Sequence, residues 1–280
     1  MIKLRWLYYC LGIHLLAHTT PVVDIYFNGM LGNNLWQYCI GKIIAEELGY
    51  KCHCNAIYGF PTTYSCHANM PSSRYSTERI QVDFDINIPQ IISNRTPRNI
   101  FLEGYFQRYA FIKNYAEKIR KDWLKIENNL LQIPQDPDDI VIHIRASNYP
   151  GSVPFEYYKK ALDMASYKRV IICTDEPNDR FLQNFRPYNP IIHSTASLRD
   201  LERAGCSYYE ISKRGFADFT YMMSFNKMIL SYSTFAWWVG FLSDAQEVYM
   251  PYPDGTTNYY SYGKIEESRF RYIATRVGSR

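Results

Sequence analysis

Residues 141–151, VIHIRASNYPG, decide the fold of this chain. Their apolar start predicts a buried strand, and the change to small and polar residues before Pro150 and Gly151 predicts that the strand ends in a loop. His143 and Arg145 lie at the end of this strand, where the parallel sheet of an α/β protein binds its ligands. The guanidinium of Arg145 can form two parallel charge-assisted hydrogen bonds with a phosphate or pair with a carboxylate, and the strand alone leaves both open.

The length and composition of the chain indicate a globular protein of two lobes. Its 280 residues exceed what one small core needs, and 47% of them are hydrophobic. The formal net charge of +4 suits a small anionic ligand. This charge is too small, and the Lys and Arg residues are too dispersed, to favour a nucleic-acid binder, which we keep only as the most distant alternative.

Strands and helices alternate along the chain, which predicts two parallel sheets joined by helical crossovers. Residues 22–27 predict the first strand, and a glycine-containing turn at 28–34 leads into a helix that ends at Gly49. The other elements predicted in the N-terminal lobe are a strand at 80–84, a strand and turn at 99–107, and a helix at 109–124. In the C-terminal lobe, strands are predicted at 140–144, 169–174, 191–192, 229–230 and 247–250, and helices at 154–164, from 179 onward, at 217–227 and at 235–243.

The segment 132–139 (QIPQDPDD) is the predicted linker between the lobes, because its prolines interrupt regular structure. The prediction is therefore an N-terminal extension at 1–21, an N-terminal Rossmann-like domain at 22–135 that faces the acceptor, and a C-terminal Rossmann-like domain at 136–280 that holds the nucleotide. Trp237 and Trp238 are predicted to belong to the core.

The N-terminal extension carries an apolar run at 6–17 after Lys3 and Arg5. This run is too short to span a bilayer, and it leaves open a weak membrane anchor or a helix packed on the body. We expect a cytoplasmic protein, with attachment to a membrane through residues 1–20 as the alternative. Seven cysteines without a regular framework are typical of reduced thiols, and the weak zinc pattern around Cys52 and Cys66 leads us to predict no metal site.

Polar side chains follow three predicted strands of the C-terminal domain. His143 and Arg145 follow the first, Asp175 follows the second, and Ser233 with Thr234 precedes a predicted helix. Hydroxyls and free amides at a helix start can bind a phosphate, although Ser233 alone would equally be a plain N-cap. Together these positions predict a site for a nucleoside diphosphate. The P-loop pattern is absent from the sequence, which excludes a P-loop nucleotidase.

Five segments resemble the α-1,2-fucosyltransferase family and its wider superfamily. They are NGMLGNNLWQY at 28–38, LEGYFQ at 102–107, HIRASNY at 143–149, TDE at 174–176 and ADFTYMMSFNKMILSYSTFAWW at 217–238. The resemblance implies an inverting, metal-independent glycosyltransferase with two facing Rossmann-like domains of the GT-B type. It also implies a nucleotide-sugar donor, an oligosaccharide acceptor and no cofactor.

The resemblance assigns site residues position by position. Arg145 matches the arginine that clamps the donor diphosphate, and it is therefore one of two predicted catalytic residues. The other donor-binding positions are His143, Asn148, Asp175, Asp218, Ser233 and Thr234. The acceptor side of the cleft is placed at Asn28, Gly29, Gly32, Asn33 and Glu103. As general base we prefer Glu156 to Glu103 or Asp24, with the alternative that Glu156 only balances the helix dipole.

Departures from the family pattern bear on the donor. Ala146 stands where the family has a second arginine, and Ser147 and Asn148 stand where it has Gly-Asp. A lost charge-assisted hydrogen bond costs roughly 1.5–3 kcal/mol, so the chemistry can persist while the donor changes.

The short, tyrosine-rich chain also resembles glycosyltransferases encoded by chlorella viruses. That resemblance suggests a β-xylosyltransferase that moves xylose from UDP-xylose to a fucose-containing viral glycan. The alternatives are a GDP-fucose-dependent α-1,2-fucosyltransferase and a degenerate, non-catalytic sugar- or nucleotide-binding protein.

Overall fold

The computed structural model describes residues 20–132, 135–145, 152–193, 201, 203–253 and 262–277. The possible anchor within residues 1–19 and the predicted donor residue Asn148 lie outside these ranges. None of the helices inside them combines enough length with enough apolar character to cross a bilayer.

The N-terminal domain is built on a four-stranded sheet whose pairings are all parallel, in the order β2-β1-β4-β3. Its strands are β1 (Val22–Tyr26), β2 (Lys51–His53), β3 (Thr77–Gln81) and β4 (Asn99–Glu103). Its helices are α1 (Leu31–Leu48), α2 (Thr62–Cys66), α3 (Ile88–Ser93), α4 (Tyr109–Ile112) and α5 (Ala116–Lys118). Helix α1 ends at Gly49 as predicted, because the φ of 70° at this position is a left-handed conformation that glycine adopts without strain.

The C-terminal domain is built on a six-stranded sheet, also parallel at each described pairing, in the order β10-β9-β8-β5-β6-β7. Its strands are β5 (Ile140–Ile144), β6 (Val170–Thr174), β7 (Ile191–His193), β8 (Lys227–Ile229), β9 (Glu247–Pro253) and β10 (Phe270–Thr275). Its helices are α6 (Phe155–Met164), α7 (Tyr208–Met223) and α8 (Thr234–Leu242), with a 3₁₀ segment at Arg180–Tyr188.

The strand order of the C-terminal sheet is that of a doubly wound Rossmann sheet. If the strands are numbered along the chain with β5 as the first, their order across the sheet from β7 to β10 is 3-2-1-4-5-6. The order reverses at β5, which lies between β6 and β8. Every residue of β5 and β6 is buried, as expected for strands that are covered on both faces. The predicted α/β fold with two parallel sheets is confirmed, while the domain boundary at residue 135 stays a prediction.

An aromatic core joins the two domains. Trp36 of α1 packs against Trp237 and Trp238 of α8, with ring centroids 4.5 and 5.1 Å apart, and all three side chains are buried. The prediction that Trp237 and Trp238 are core residues is confirmed. Gly32 permits this approach, because a Cβ at that position would overlap the backbone of Thr234 and Phe235.

Two predicted helices differ from the structure. The helix expected at 109–124 is a series of short helical segments, which includes α4, α5 and a π turn at Ile119–Trp123. This turn buries both Ile119 and Trp123, so tertiary packing overrides the helical propensity. The helix expected at 217–227 is α7, which starts earlier because Ser207 and Glu210 form a capping box at its N-terminus.

The strands also differ at their ends. Strand β3 spans Thr77–Gln81, so it begins before residue 80 and ends before residue 84 of the predicted strand. Strand β9 continues beyond the predicted 247–250 through Pro251 and Pro253. Strand β8 pairs with β9 only as far as Tyr249, so the missing proline N–H costs no hydrogen bond on that side. Strand β10, which pairs with the other side of β9, is absent from the sequence prediction.

Candidate active site

A cavity of about 420 Å³ opens between the two sheets. Most of its lining residues lie at or just after the carboxyl ends of β1, β4, β5, β6 and β8 or on α7. This is the point where the strand order of the C-terminal sheet reverses, and doubly wound sheets bind their ligands there. We call it the switch-point cavity. The predicted site residues that line it are Gly29, Gly32, Asn33, His143, Arg145, Asp175, Asp218, Ser233 and Thr234.

His143 is a buried, neutral side chain at the base of the cavity. Its Nδ1 lies 2.7 Å from Oγ of Ser231, and its ring stacks on Phe235 with centroids 5.4 Å apart. Burial, followed by the positive charge of Arg145, lowers the pKa of His143 to about 3. The imidazole therefore contributes hydrogen bonding and shape at neutral pH, and it adds no positive charge to the site.

Arg145 and Asp175 form an ion pair across the ends of β5 and β6. Both side chains remain partly exposed to the cavity, at 26% and 19%. The sequence alone left open whether Arg145 pairs with a carboxylate, and the structure shows that it pairs with Asp175. An arginine held in this way keeps a fixed position at the cavity wall, where its guanidinium can contact an anionic ligand.

Arg214 is a second cation in the cavity, and the sequence analysis missed it. In the part of the chain that the structure describes, its Nη1 is buried without a hydrogen-bond partner. A buried, unsatisfied guanidinium N–H is costly, which points to an anionic ligand at this position. A sequence signal exists, because Ile211, Arg214, Gly215 and Asp218 have the i, i+3, i+4, i+7 spacing of one helix face.

The N-terminus of α8 closes the cavity on the side of β8. Oγ of Ser233 accepts a hydrogen bond from the N–H of Ala236 at 3.1 Å, so this serine is the N-cap of the helix. The hydroxyl of Thr234 donates to Oδ1 of Asn33 at 2.9 Å and thereby links the two domains. The positive end of the helix dipole still adjoins the cavity, which favours a negative group there.

The loops of the N-terminal domain that line the cavity are held by side-chain amides. Gln37 of α1 exchanges two hydrogen bonds with the backbone of Asn28, at 3.1 and 3.2 Å, and donates a third to the carbonyl of Gly104 at 2.8 Å. Nε2 of Gln107 donates to Oδ1 of Asn33 at 3.0 Å. Through these contacts Gln37 and Gln107 fix the geometry of the loops that carry the glycines.

Asp218 provides a second carboxylate in the cavity. It projects from α7 with 28% of its side chain exposed, and its Oδ1 lies 3.6 Å from Nε2 of His193. The ring of His193 in turn stacks on Tyr221 at a centroid distance of 3.6 Å. Asp218 is therefore a positioned acceptor for N–H or hydroxyl groups of a ligand.

Three predicted site residues do not line the cavity. Asn28 is engaged through its backbone by Gln37, and Glu103 is the last residue of β4. Glu156 is exposed in the first turn of α6, and its role as general base stays a prediction. The alternative base Asp24 also lies outside the cavity, and its Oδ1 is 2.6 Å from Nδ1 of His53.

The chain contains two D-x-D sequences, a pattern that can hold a metal-bound diphosphate, at 83–85 and 136–138. Neither lines the switch-point cavity. Asp85 pairs with Arg108, whereas Asp136 and Asp138 pair with Lys168 and Lys227. The charges available to a ligand in the cavity are therefore those of its own arginines and carboxylates.

Comparison with known proteins finds similarity in structure. No family model and no curated protein matches this chain. A solved structure of FUT1 from Arabidopsis thaliana, a fucosyltransferase mutant in complex with GDP, is similar over 86% of this chain and 73% of its own, with 11% identity and a TM-score of 0.48. A likeness of this size does not assign an activity, so the function rests on the site itself.

Proposed function

We propose that this protein is a glycosyltransferase that moves a sugar from a nucleoside-diphosphate donor to a hydroxyl of a glycan, with inversion and without a metal or another cofactor. The observation that carries the proposal is the switch-point cavity of a Rossmann-ordered sheet, where Arg145 and Arg214 meet the N-terminus of α8. Two cations and a helix dipole converging on one cavity suit a diphosphate.

The proposed reaction is a single displacement. The acceptor oxygen forms a bond with the anomeric carbon and passes its proton to a general base, the role proposed for Glu156. The bond from that carbon to the diphosphate breaks, and the nucleoside diphosphate leaves with the electron pair. Negative charge grows on the departing diphosphate. Arg145 and Arg214 would stabilise it there, because preorganised donors act most strongly where charge develops in the transition state.

The donor that we place first is UDP-xylose, with a fucose-containing glycan as acceptor in the cytoplasm. This choice is supported by the departures at Ala146, Ser147 and Asn148 from the fucosyltransferase pattern. GDP-fucose is the second candidate, and Asp218 favours it, because a carboxylate can accept both adjacent N–H groups of a guanine edge. Arg214 also favours GDP-fucose, because it supplies the second cation that is missing at Ala146.

Thermal stabilisation by GDP and by UDP separates these donors. A ligand that binds only the folded state raises stability by about 2.7 kcal/mol at a hundredfold excess over its Kd. UDP should raise the melting temperature more than GDP if UDP-xylose is the donor, and the reverse order would select GDP-fucose. Arg145→Ala should abolish the shift, whereas Arg271→Ala, which removes an exposed arginine outside the cavity, should preserve it. An unchanged shift in Arg145→Ala would refute the proposed site.

Catalysis is tested separately from binding. The protein should hydrolyse or transfer sugar from one member of a panel of UDP- and GDP-sugars, with release of the free nucleotide as the readout. Nucleotide binding without turnover of any donor would identify the degenerate binding protein that is the alternative from another class.

A further inference from the structure

A second cavity, of about 450 Å³, adjoins the switch-point cavity and shares Leu31 and Ser212 with it. We call it the tyrosine cavity. It lies between the N-terminal domain and α7 of the C-terminal domain. The residues that line it are Leu31, Asn34, Ala56, Ile57, Tyr58, Tyr64, Tyr209 and Ser212.

The chemistry of the tyrosine cavity differs from that of its neighbour. Among the described residues that line it, none carries a charge, whereas the switch-point cavity contains two arginines and two aspartates. Three tyrosines supply broad apolar ring faces with polar tips, and an amide and a hydroxyl supply further hydrogen bonds. This combination suits a neutral ligand that has both C–H faces and hydroxyl groups.

The aromatic rings of the cavity are held in place. Tyr58 meets Tyr209 edge to face at 5.7 Å and 87°, and it meets Phe216 in the same way at 5.5 Å and 82°. The hydroxyl of Tyr64 accepts a hydrogen bond from the N–H of Gly59 at 3.1 Å. Gly59 has a φ of 83°, and its Cα lies against the ring of Phe216, where no Cβ would fit. The loop and helix are thus locked together behind the cavity.

The rings are nevertheless open to a ligand. Tyr209 is 61% exposed and Tyr64 is 41% exposed, although rings of this size normally bury most of their surface. Two exposed rings around one concave, uncharged surface, placed beside a candidate donor site, indicate a surface that packs against something in the functional state.

We propose that the tyrosine cavity is the acceptor subsite and that its ligand is a neutral oligosaccharide. The inference rests on the proposed transferase function, which it deepens by naming the acceptor class. A sugar that stacks on Tyr209 and Tyr64 directs a hydroxyl past Leu31 and Ser212 into the switch-point cavity. The absence of a basic side chain among the described lining residues gives no favourable partner for a uronate, sialate or phosphorylated glycan.

Saturation-transfer NMR and calorimetry without nucleotide test the subsite. The probes are a neutral fucosylated trisaccharide and a sialylated trisaccharide of similar size. Tyr209→Ala should weaken binding of the neutral probe about tenfold, because a well-placed aromatic contact contributes up to about this factor. Tyr209→Phe should retain most of the affinity, since it keeps the ring. Ala56→Trp, which fills the cavity from an exposed position, should abolish binding.

The matched control is Tyr26→Ala, which removes a tyrosine that is 50% exposed and lines neither cavity, and it should bind the neutral probe like the unchanged protein. Nucleotide-induced thermal shifts should be the same in Tyr209→Ala and the unchanged protein. Equal glycan affinity in Tyr209→Ala, tighter binding of the sialylated probe, or no binding of the neutral probe would each overturn the inference. Failure of the unchanged protein to bind a nucleotide would instead refute the proposed function.

Discussion

The two walls of the switch-point cavity are built on opposite principles. The charged wall, from the C-terminal domain, consists of Arg145, Asp175, Arg214 and Asp218. The neutral wall, from the N-terminal domain, consists of residues 29–33 and Tyr105, and none of these carries a charge. The charged wall can therefore bind an anionic group at its arginines and donor groups at its carboxylates, whereas the neutral wall sets the shape of the cavity through glycines and amide-held loops. Recognition of charge and definition of shape are separated between the domains.

The largest expected effect comes from removing both cations of the charged wall. The double variant Arg145→Met with Arg214→Met should weaken nucleotide binding by about two to four orders of magnitude, because each charge-assisted hydrogen bond contributes roughly 1.5–3 kcal/mol. Titration calorimetry with GDP and UDP measures this loss. Arg271→Met is the control with unchanged affinity. A double variant that binds within a few-fold of the unchanged protein would show that the charge of this wall is irrelevant.

The next largest effect is expected from weakening the core that joins the two domains. Trp36→Ala should lower the free energy of unfolding by about 3–5 kcal/mol, because it leaves a void against Trp237 and Trp238 in the core that joins the domains. Urea unfolding should still show one transition. If the cost were below about 1 kcal/mol, or if two transitions appeared, the domains would be energetically independent and the cavity could open freely.

Asn33→Ala probes the neutral wall alone. It removes the oxygen that accepts from Gln107 and Thr234, and an unsatisfied buried donor costs about 1–3 kcal/mol. Stability should fall by this amount, while nucleotide affinity should change far less than in Arg145→Ala. Asn94→Ala, at an exposed turn, should leave stability within about 0.5 kcal/mol. If Asn33→Ala lost more free energy of nucleotide binding than free energy of unfolding, Asn33 would contact the nucleotide directly. The two walls would then not have separate roles.

The last predicted effect is a pH dependence at the boundary of the walls. His143 has a pKa of about 3 in the folded protein, and its ordinary value is 6.5. Between these values the unfolded chain binds a proton that the folded protein does not, so stability rises with pH and is lost as the pH falls below 6.5. The slope is at most about 1.4 kcal/mol per pH unit for this group. His143→Gln should flatten the dependence by that amount in denaturant titrations, and an unchanged slope would contradict a buried, neutral imidazole.

Much of the fold and the centre of the site could be predicted from the sequence. Apolar runs that end in polar residues identified β1, β5 and β6, and the rule that ligands bind at strand ends brought Arg145 and Asp175 to one cavity. The glycines at 29 and 32 were recognised as a turn, but their close packing against Asn33 and α8 depends on a distant part of the chain.

The misses have physical causes. Arg214 was overlooked because the start of α7 is set by a capping box at Ser207 and Glu210, which was not recognised, so the charged face of the helix fell outside the predicted element. Strand β10 has no partner nearby in sequence except β9, whose predicted range ended at residue 250. Glu156 was chosen for its closeness to Arg145 in sequence, and it lies exposed on α6, where its role as general base stays a prediction.

The pairing of β5 with β8 also has a consequence for biosynthesis. His143 and Ser231, whose side chains meet at the reversal of strand order, are 88 residues apart. A ribosome that adds about 5–20 residues per second needs roughly 4–18 s to pass from one to the other. Throughout that interval the apolar edge of β5 remains unpaired because β8 has not been synthesised. Long-range parallel pairing is slow even after β8 has been made. Newly made chains should therefore depend on chaperones, and truncated products should be prone to aggregate.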